Sequence, residues 1–361
     1  MYGRGPMAAT KGGAQGAAQG DTARPLRSAA PDAEAAAPSS RAAPWLVRHP
    51  SEWRQVGIVL TYQALLMAMM FAPAARNPAV LIAAGLLSFL NSVVIHNHLH
   101  RGIFNSHRLN MIWRCVLSFG ALYPASANVP SHNLVHHHFA DDGQPDWADP
   151  SHVRFRWNLL NLIHFPNIAG PNTFAGVGRW MATTRQKGFA RQYVTEMIVA
   201  FGLTGALLAY DFWPALLFVV LPQLYGARCI LRINLIQHDR TDTTSEWNHS
   251  RNFVGRFFNW IMCNNGYHTI HHNRAGLHWS ELDAAHRREV APRIDPSLDE
   301  PSMIKYLWRT YVARGARPPV RDVAAAEKAA GSAGLDPRAV RRAAAERAAD
   351  AEQEGPLAAA G

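Results

Sequence analysis

Four short segments carry histidine at the spacing that metal coordination uses. His96-Asn97-His98-Leu99-His100 places His96 and His100 one helical turn apart, with His98 pointing away. In His132-Asn133-Leu134-Val135-His136-His137-His138, His132 and His136 share a face that His137 can join. Asn234 and His238 repeat the i,i+4 interval, and His268, His271 and His272 give i, i+3 and i+4 at once. One such pair on a helix is usually structural. Four in one chain, with every histidine but His49 lying between His96 and His286, make coordination the leading account.

Imidazole suits iron, zinc, copper and nickel, so the spacing argues for a metal without naming it. The count narrows the choice. His96, His100, His132, His136, His137, His238, His268, His271 and His272 exceed the three or four ligands a single zinc takes. They fit two metals, and no motif for a redox-active organic cofactor is present. The reading is therefore a centre of two iron ions with O2 as co-substrate. Sulfur is not expected to take part, because Cys115, Cys229 and Cys263 are odd in number and widely spaced.

Other sites fail on their residues. A carboxylate-type di-iron site needs two Glu-x-x-His motifs and two further glutamates, and the chain offers only Glu246 to His249. There is no His-Glu-x-x-His, no P-loop and no Gly-x-Gly-x-x-Gly. Among the remaining polar residues near the histidines, Asp239 is a candidate to orient His238. His152 beside Asp149 is a candidate support for a ligand, and Asp146, Asn264 and Asn265 stand close by.

Elements must hold these residues together. Val56–Ala72, Ala79–Ile95, Tyr193–Tyr210 and Phe212–Ala227 are apolar on all faces and long enough to span a bilayer core. Gln63, Asn91, Glu196 and Gln223 interrupt them sparingly. Short connections join the first to the second and the third to the fourth, giving two hairpins. Of the basic residues, only Arg76 lies in a short connection, so the positive-inside rule puts both termini and all long segments in the cytoplasm. The formal net charge of +10 is then a topology signal and a contact with anionic lipid, and nucleic acid is not expected as a partner.

The fold expected is an all-α integral membrane protein, with four transmembrane helices in two hairpins and a cytoplasmic histidine-rich helical cap. Residues 1–44 read as a disordered tail, 45–315 as the membrane domain and 316–361 as a polar tail rich in Ala, Arg and Glu. No apolar run follows Met1, so a cleavable signal peptide is not expected. Met111–Ala125, interrupted by Arg114, reads as re-entrant, interfacial or buried. Crossing there would put the histidines on opposite sides of the membrane. Phe155–Trp180 has apolar residues at helical spacing, for packing on the membrane interface or roofing an acyl-chain tunnel.

The histidine segments resemble the three boxes of the membrane fatty acid desaturases and their hydroxylase relatives, written HxxxH, HxxHH or HxxxHH, and HxxHH. His96 to His100 is similar to the first, His132 to His137 to the longer second and His268 to His272 to the third. Asn234 to His238 is similar to an extra Asn and His that some members use, the Asn through water. The resemblance covers about residues 50–300. It implies a membrane-bound oxidoreductase with a non-haem di-iron centre, ligated by the nine histidines and Asn234, that introduces a double bond into an acyl lipid. A hydroxylase or ketolase of an alkyl, sterol-like or carotenoid substrate is the alternative, and a metal transporter the alternative from another class.

Two departures stand out. The first box has His-Asn where desaturases often have His-Asp, and the second has a third consecutive histidine. Val135-His136-His137-His138-Phe139 resembles the family's Val-His-His-x-Phe run, which favours the register His132, His136, His137. No His-Pro-Gly-Gly haem motif is present. Electrons are expected from a separate donor: a ferredoxin, a rubredoxin or a cytochrome b5-like protein.

Overall fold

The computed structural model describes residues 46–138 and 146–313, so the expected tails at 1–44 and 316–361 lie outside the described residues. In chain order the helices are α1 (Glu52–Phe71), α2 (Pro78–His100), α3 (His107–Ala121), α4 (Asn158–Thr183), α5 (Lys187–Tyr210) and α6 (Phe212–His238). Two short helices, α7 (Arg256–Ile261) and α8 (His268–Asn273), follow. Strands β1 (Asn252–Phe253) and β2 (Asp299–Glu300) form a two-residue parallel pair, and the described residues are otherwise mostly helical.

Helices α1, α2, α5 and α6 are long and apolar enough to cross a membrane. They contain the four apolar stretches but for Ala72, which follows α1, and α2 and α6 run on beyond them to His100 and His238. Their outward faces are apolar too: Ile82 is 73% and Ile198 67% exposed. Lipid solvates such a surface and water does not.

The helix ends follow from local chemistry. Asn77 accepts from the Val80 N–H and Pro78 occupies the first turn of α2, a strong start signal. Arg76 donates to the carbonyls of Met69 and Met70 at 2.8 and 2.7 Å, satisfying the end of α1. Phe71 and Tyr210 meet ring to ring at 5.8 Å, so the C-terminal ends of α1 and α5 lie together. At the other end Glu52, opening α1, reaches His278 at 2.8 Å.

Helix α3 is amphipathic and ends inside the bundle. Leu122, which follows it, takes the left-handed conformation at φ 55°. Side chains of α1, α2 and α6 donate to carbonyls of its last two turns, of which only those after Leu117 lack an i+4 partner inside the helix. Tyr62 Oη donates to Gly120 at 3.0 Å, Gln63 to Val116 at 3.1 Å, Asn91 to Leu117 at 3.2 Å and Gln223 to Phe119 at 2.6 Å. Glu196 completes the arrangement by accepting from the Ser126 N–H at 2.8 Å and the Ser126 hydroxyl at 2.6 Å. The polar interruptions of the apolar stretches thus anchor one turn. Histidines on both sides of α3 meet in one cluster.

Helices α2 and α6 carry the first box and His238 at their ends, so their separation sets the site. At Gly226 the contact is backbone to backbone: a Cβ there would collide with the Ser88 carbonyl. Gly226→Leu is expected to destabilise the fold by about 3 kcal/mol through overpacking. A melting temperature in detergent equal to wild type would contradict this account.

Candidate metal centre

The end of α2 brings His96 and His100 inward as a pair, as the one-turn spacing requires. His98 faces elsewhere and accepts from the Ile103 N–H at 3.4 Å. The second box follows wide π-type turns over Val129–Val135 and closes in a tight turn at His136–His138. Asn133 ties it to α2 by donating to the Leu99 carbonyl at 3.1 Å. Helix α8 carries the third box after a strained entry: Cys263 and Asn264 both have positive φ, at 49° and 58°. Asn264 donates to the Trp279 carbonyl and Asn265 to Asn97 Oδ1, both at 3.0 Å, and these bonds hold that loop against the first box.

The histidines gather into two sets. His96, His100, His132 and His271 form one, and His136, His238, His268 and His272 the other, with the ligating atoms of each within 4.8 Å of one another. His137 joins the first, its Nε2 lying 3.1 Å from both His132 Nε2 and His271 Nε2. The first box serves one set, whereas the second and third divide between both. His138 is exposed and belongs to neither set, in keeping with the register His132, His136, His137.

These distances fit a metal better than a network of imidazoles alone. His268 Nε2 faces both His238 Nε2 at 2.8 Å and His272 Nε2 at 3.1 Å, and one proton there can serve only one of them. Nitrogens bound at about 2.1 Å to a common metal and at right angles lie about 3.0 Å apart. His96 Nε2 and His100 Nε2 are buried without a hydrogen-bond partner, which is costly unless an ion takes their lone pairs.

Outer partners fix two tautomers. His136 Nδ1 donates to Asp146 Oδ2 at 2.6 Å, and the other Asp146 oxygen accepts from the Ala148 N–H at 3.0 Å. His238 Nδ1 donates to the His249 carbonyl at 3.1 Å. In each case Nε2 is left to act as the donor atom toward a metal. The other candidates are placed differently. Asn234 donates to the Ala148 carbonyl at 3.0 Å, Asp149 accepts from the Ser151 N–H at 2.6 Å, and buried Asp239 accepts from the Tyr311 hydroxyl at 3.1 Å. His152 keeps a buried Nδ1 without a hydrogen bond. Asp146 was visible only as one of several acids near the second box. The His249 carbonyl has no side-chain signature at all.

Burial first, and then the neighbouring rings, push His132, His137, His268, His271 and His272 well below the ordinary imidazole pKa. Neutral imidazole is the form that binds a metal. It also predicts acid sensitivity. Above about pH 6.5 folded and unfolded histidines are both neutral, and below it only the unfolded chain takes up protons. Stability of the metal-free protein is therefore expected to fall from about pH 6.5 downward, by up to about 1.4 kcal/mol per pH unit for each such histidine. Thermal melting of chelator-treated protein between pH 7 and 5 tests this, and a flat profile would contradict neutral burial.

The fatty acid desaturase family model matches residues 71–301, a segment that contains all three boxes and α2 through α8. The chain belongs to the fatty acid desaturase family. None of the curated proteins matches it at a significant level. The desaturase match implies an oxidoreductase working on acyl lipid in a membrane setting. The two histidine sets provide the metal-binding capacity that such chemistry requires.

Proposed function

We propose that the chain is a membrane-bound, O2-dependent di-iron desaturase that introduces a double bond into an acyl-lipid chain. The observation carrying this reading is the pair of histidine sets, four ligating nitrogens each with His137 added to the first, in a chain of the desaturase family. Two irons held there would supply the activation of dioxygen and the removal of hydrogen from unactivated methylenes. The nine histidines would hold the metals, and Asp146 and the His249 carbonyl keep His136 and His238 in the ligating tautomer. Asn234, one turn before His238, is assigned to the same centre through water, with Asp239, Asp149 and His152 around it.

Two membrane hairpins with both termini and the histidine cap in the cytoplasm complete the reading, and electrons come from a separate ferredoxin, rubredoxin or cytochrome b5-like donor. Gathering of the histidines at one end of the helices, away from mid-membrane, speaks against a transport path. The test is lipid analysis of cells with and without the gene, together with metal analysis of the purified protein. A new unsaturated acyl chain and two irons per chain are expected. A hydroxyl or keto product would move the reading to oxygen insertion, and tight zinc without reductant-driven oxygen uptake would overturn it.

A further inference from the structure

A second group of buried polar residues adjoins the histidine centre without belonging to it. Glu52 and His278 are each 2% exposed. Glu52 accepts from His278 Nε2 at 2.8 Å, from Gln55 at 2.9 Å and from the Trp279 indole at 3.3 Å. On its other side His278 Nδ1 accepts from the Ser280 N–H at 3.2 Å and meets the Ser280 hydroxyl at 2.7 Å. Because Nδ1 accepts a backbone N–H, the ring proton sits on Nε2 and points at the carboxylate. Ser280 is half-buried, so part of the residue meets solvent.

A cleft joins this group to the centre. It is lined by Glu52, His278, Asn97 and Arg101 on the one hand and by His100 and His271 on the other, and its volume of about 10 Å³ is that of a single water. The charged and titratable groups around the pair are His49, whose ring lies 4.4 Å from His278, with Arg101 in the cleft and Arg54 over the Trp279 ring at 6.0 Å. Glu281 and Cys263 stand nearby in the same cap.

We propose that Ser280, His278, Glu52 and a water in the cleft form the route by which solvent protons reach the histidine centre. The inference rests on the desaturase reading, whose chemistry needs such a route. Per turnover two C–H bonds on adjacent methylenes break, one carbon–carbon π bond forms, the O–O bond of dioxygen breaks and two waters are made. Two of the four hydrogens in that water come from the substrate. The other two are protons from solvent, matched by two electrons from the external donor. A buried centre must import them, and a histidine bonded on one side to a half-buried serine and on the other to a buried carboxylate is built to pass them.

Glu52→Gln keeps the size of the side chain but removes the proton carrier. It is expected to slow product formation by about a hundredfold at unchanged iron content, with more oxygen consumed per double bond. Glu52→Asp should recover part of the rate. An independent readout needs no turnover: in metal-free protein, the His278 ring proton, assigned by its loss from the nitrogen NMR spectrum of His278→Gln, should exchange promptly with D2O and more slowly in Ser280→Ala. If Glu52→Gln does not fold, Ser280→Ala reads the outer step and should slow proton supply with iron retained. An unchanged rate in a folded variant, iron loss accompanying the slowing, or a His278 ring proton whose exchange is untouched by Ser280→Ala would each overturn the proposal. Absence of any unsaturated product from wild type would instead overturn the desaturase reading.

Discussion

His136→Ala is expected to abolish turnover while leaving membrane insertion and overall folding intact. His136 is buried in the second histidine set, and its ring contacts His238 at 4.7 Å and His272 at 4.7 Å between centroids. Removing it deletes one nitrogen of a four-member set and strands the Asp146 carboxylate that held it. A bound metal supplies several kcal/mol to such chemistry, and at about 1.4 kcal/mol per tenfold its loss corresponds to about a thousandfold or more. His268→Ala should behave alike, since His268 Nε2 faces both His238 and His272. Asp146→Asn should act more mildly, weakening metal retention by about 10–100-fold. Metal analysis and acyl-chain analysis of the membrane fraction check all three, and near-normal iron or turnover in either alanine variant would refute the ligand assignment.

The four long apolar helices and the gathering of the histidines were legible in the sequence because both signals are local. An apolar run and a four-residue interval need no knowledge of the fold. What each histidine does with its neighbours was not local. His132 and His136 share a face by spacing, yet they enter different sets, because Pro130 and the wide turns over Val129–Val135 swing that segment across both. His271 and His272 are adjacent in sequence and likewise divide. Asp146 lies ten residues beyond His136 with other acids around it, so only the folded chain selects it over Asp149. The polar residues of the apolar stretches were visible, but their common purpose depends on where α3 ends.

Glu196 gives that purpose its largest expected effect. An acid in an otherwise apolar span ordinarily suggests an ion path, yet here it is 0% exposed and occupied by donors from three segments. Ser126 supplies its N–H and hydroxyl at 2.8 and 2.6 Å, Gln192 its amide at 2.8 Å and Ser118 its hydroxyl at 3.3 Å. Glu196→Leu leaves the Ser126 N–H and hydroxyl buried without an acceptor, whereas Ser118 and Gln192 keep the Arg114 and Met111 carbonyls, and at about 1–3 kcal/mol for each stranded donor a loss of about 3–5 kcal/mol is expected. The damage should reach the metal centre, because the turn at Ala125–Ala127 leads within a few residues to His132. Glu196→Gln retains one acceptor oxygen and should lose less of both stability and iron. Melting temperature in detergent and iron content measured side by side decide the matter. Wild-type values for both in Glu196→Leu would show that the turn at Ala125–Ala127 holds without its carboxylate, and that His132 owes its position to the wide turns after Asn128 alone.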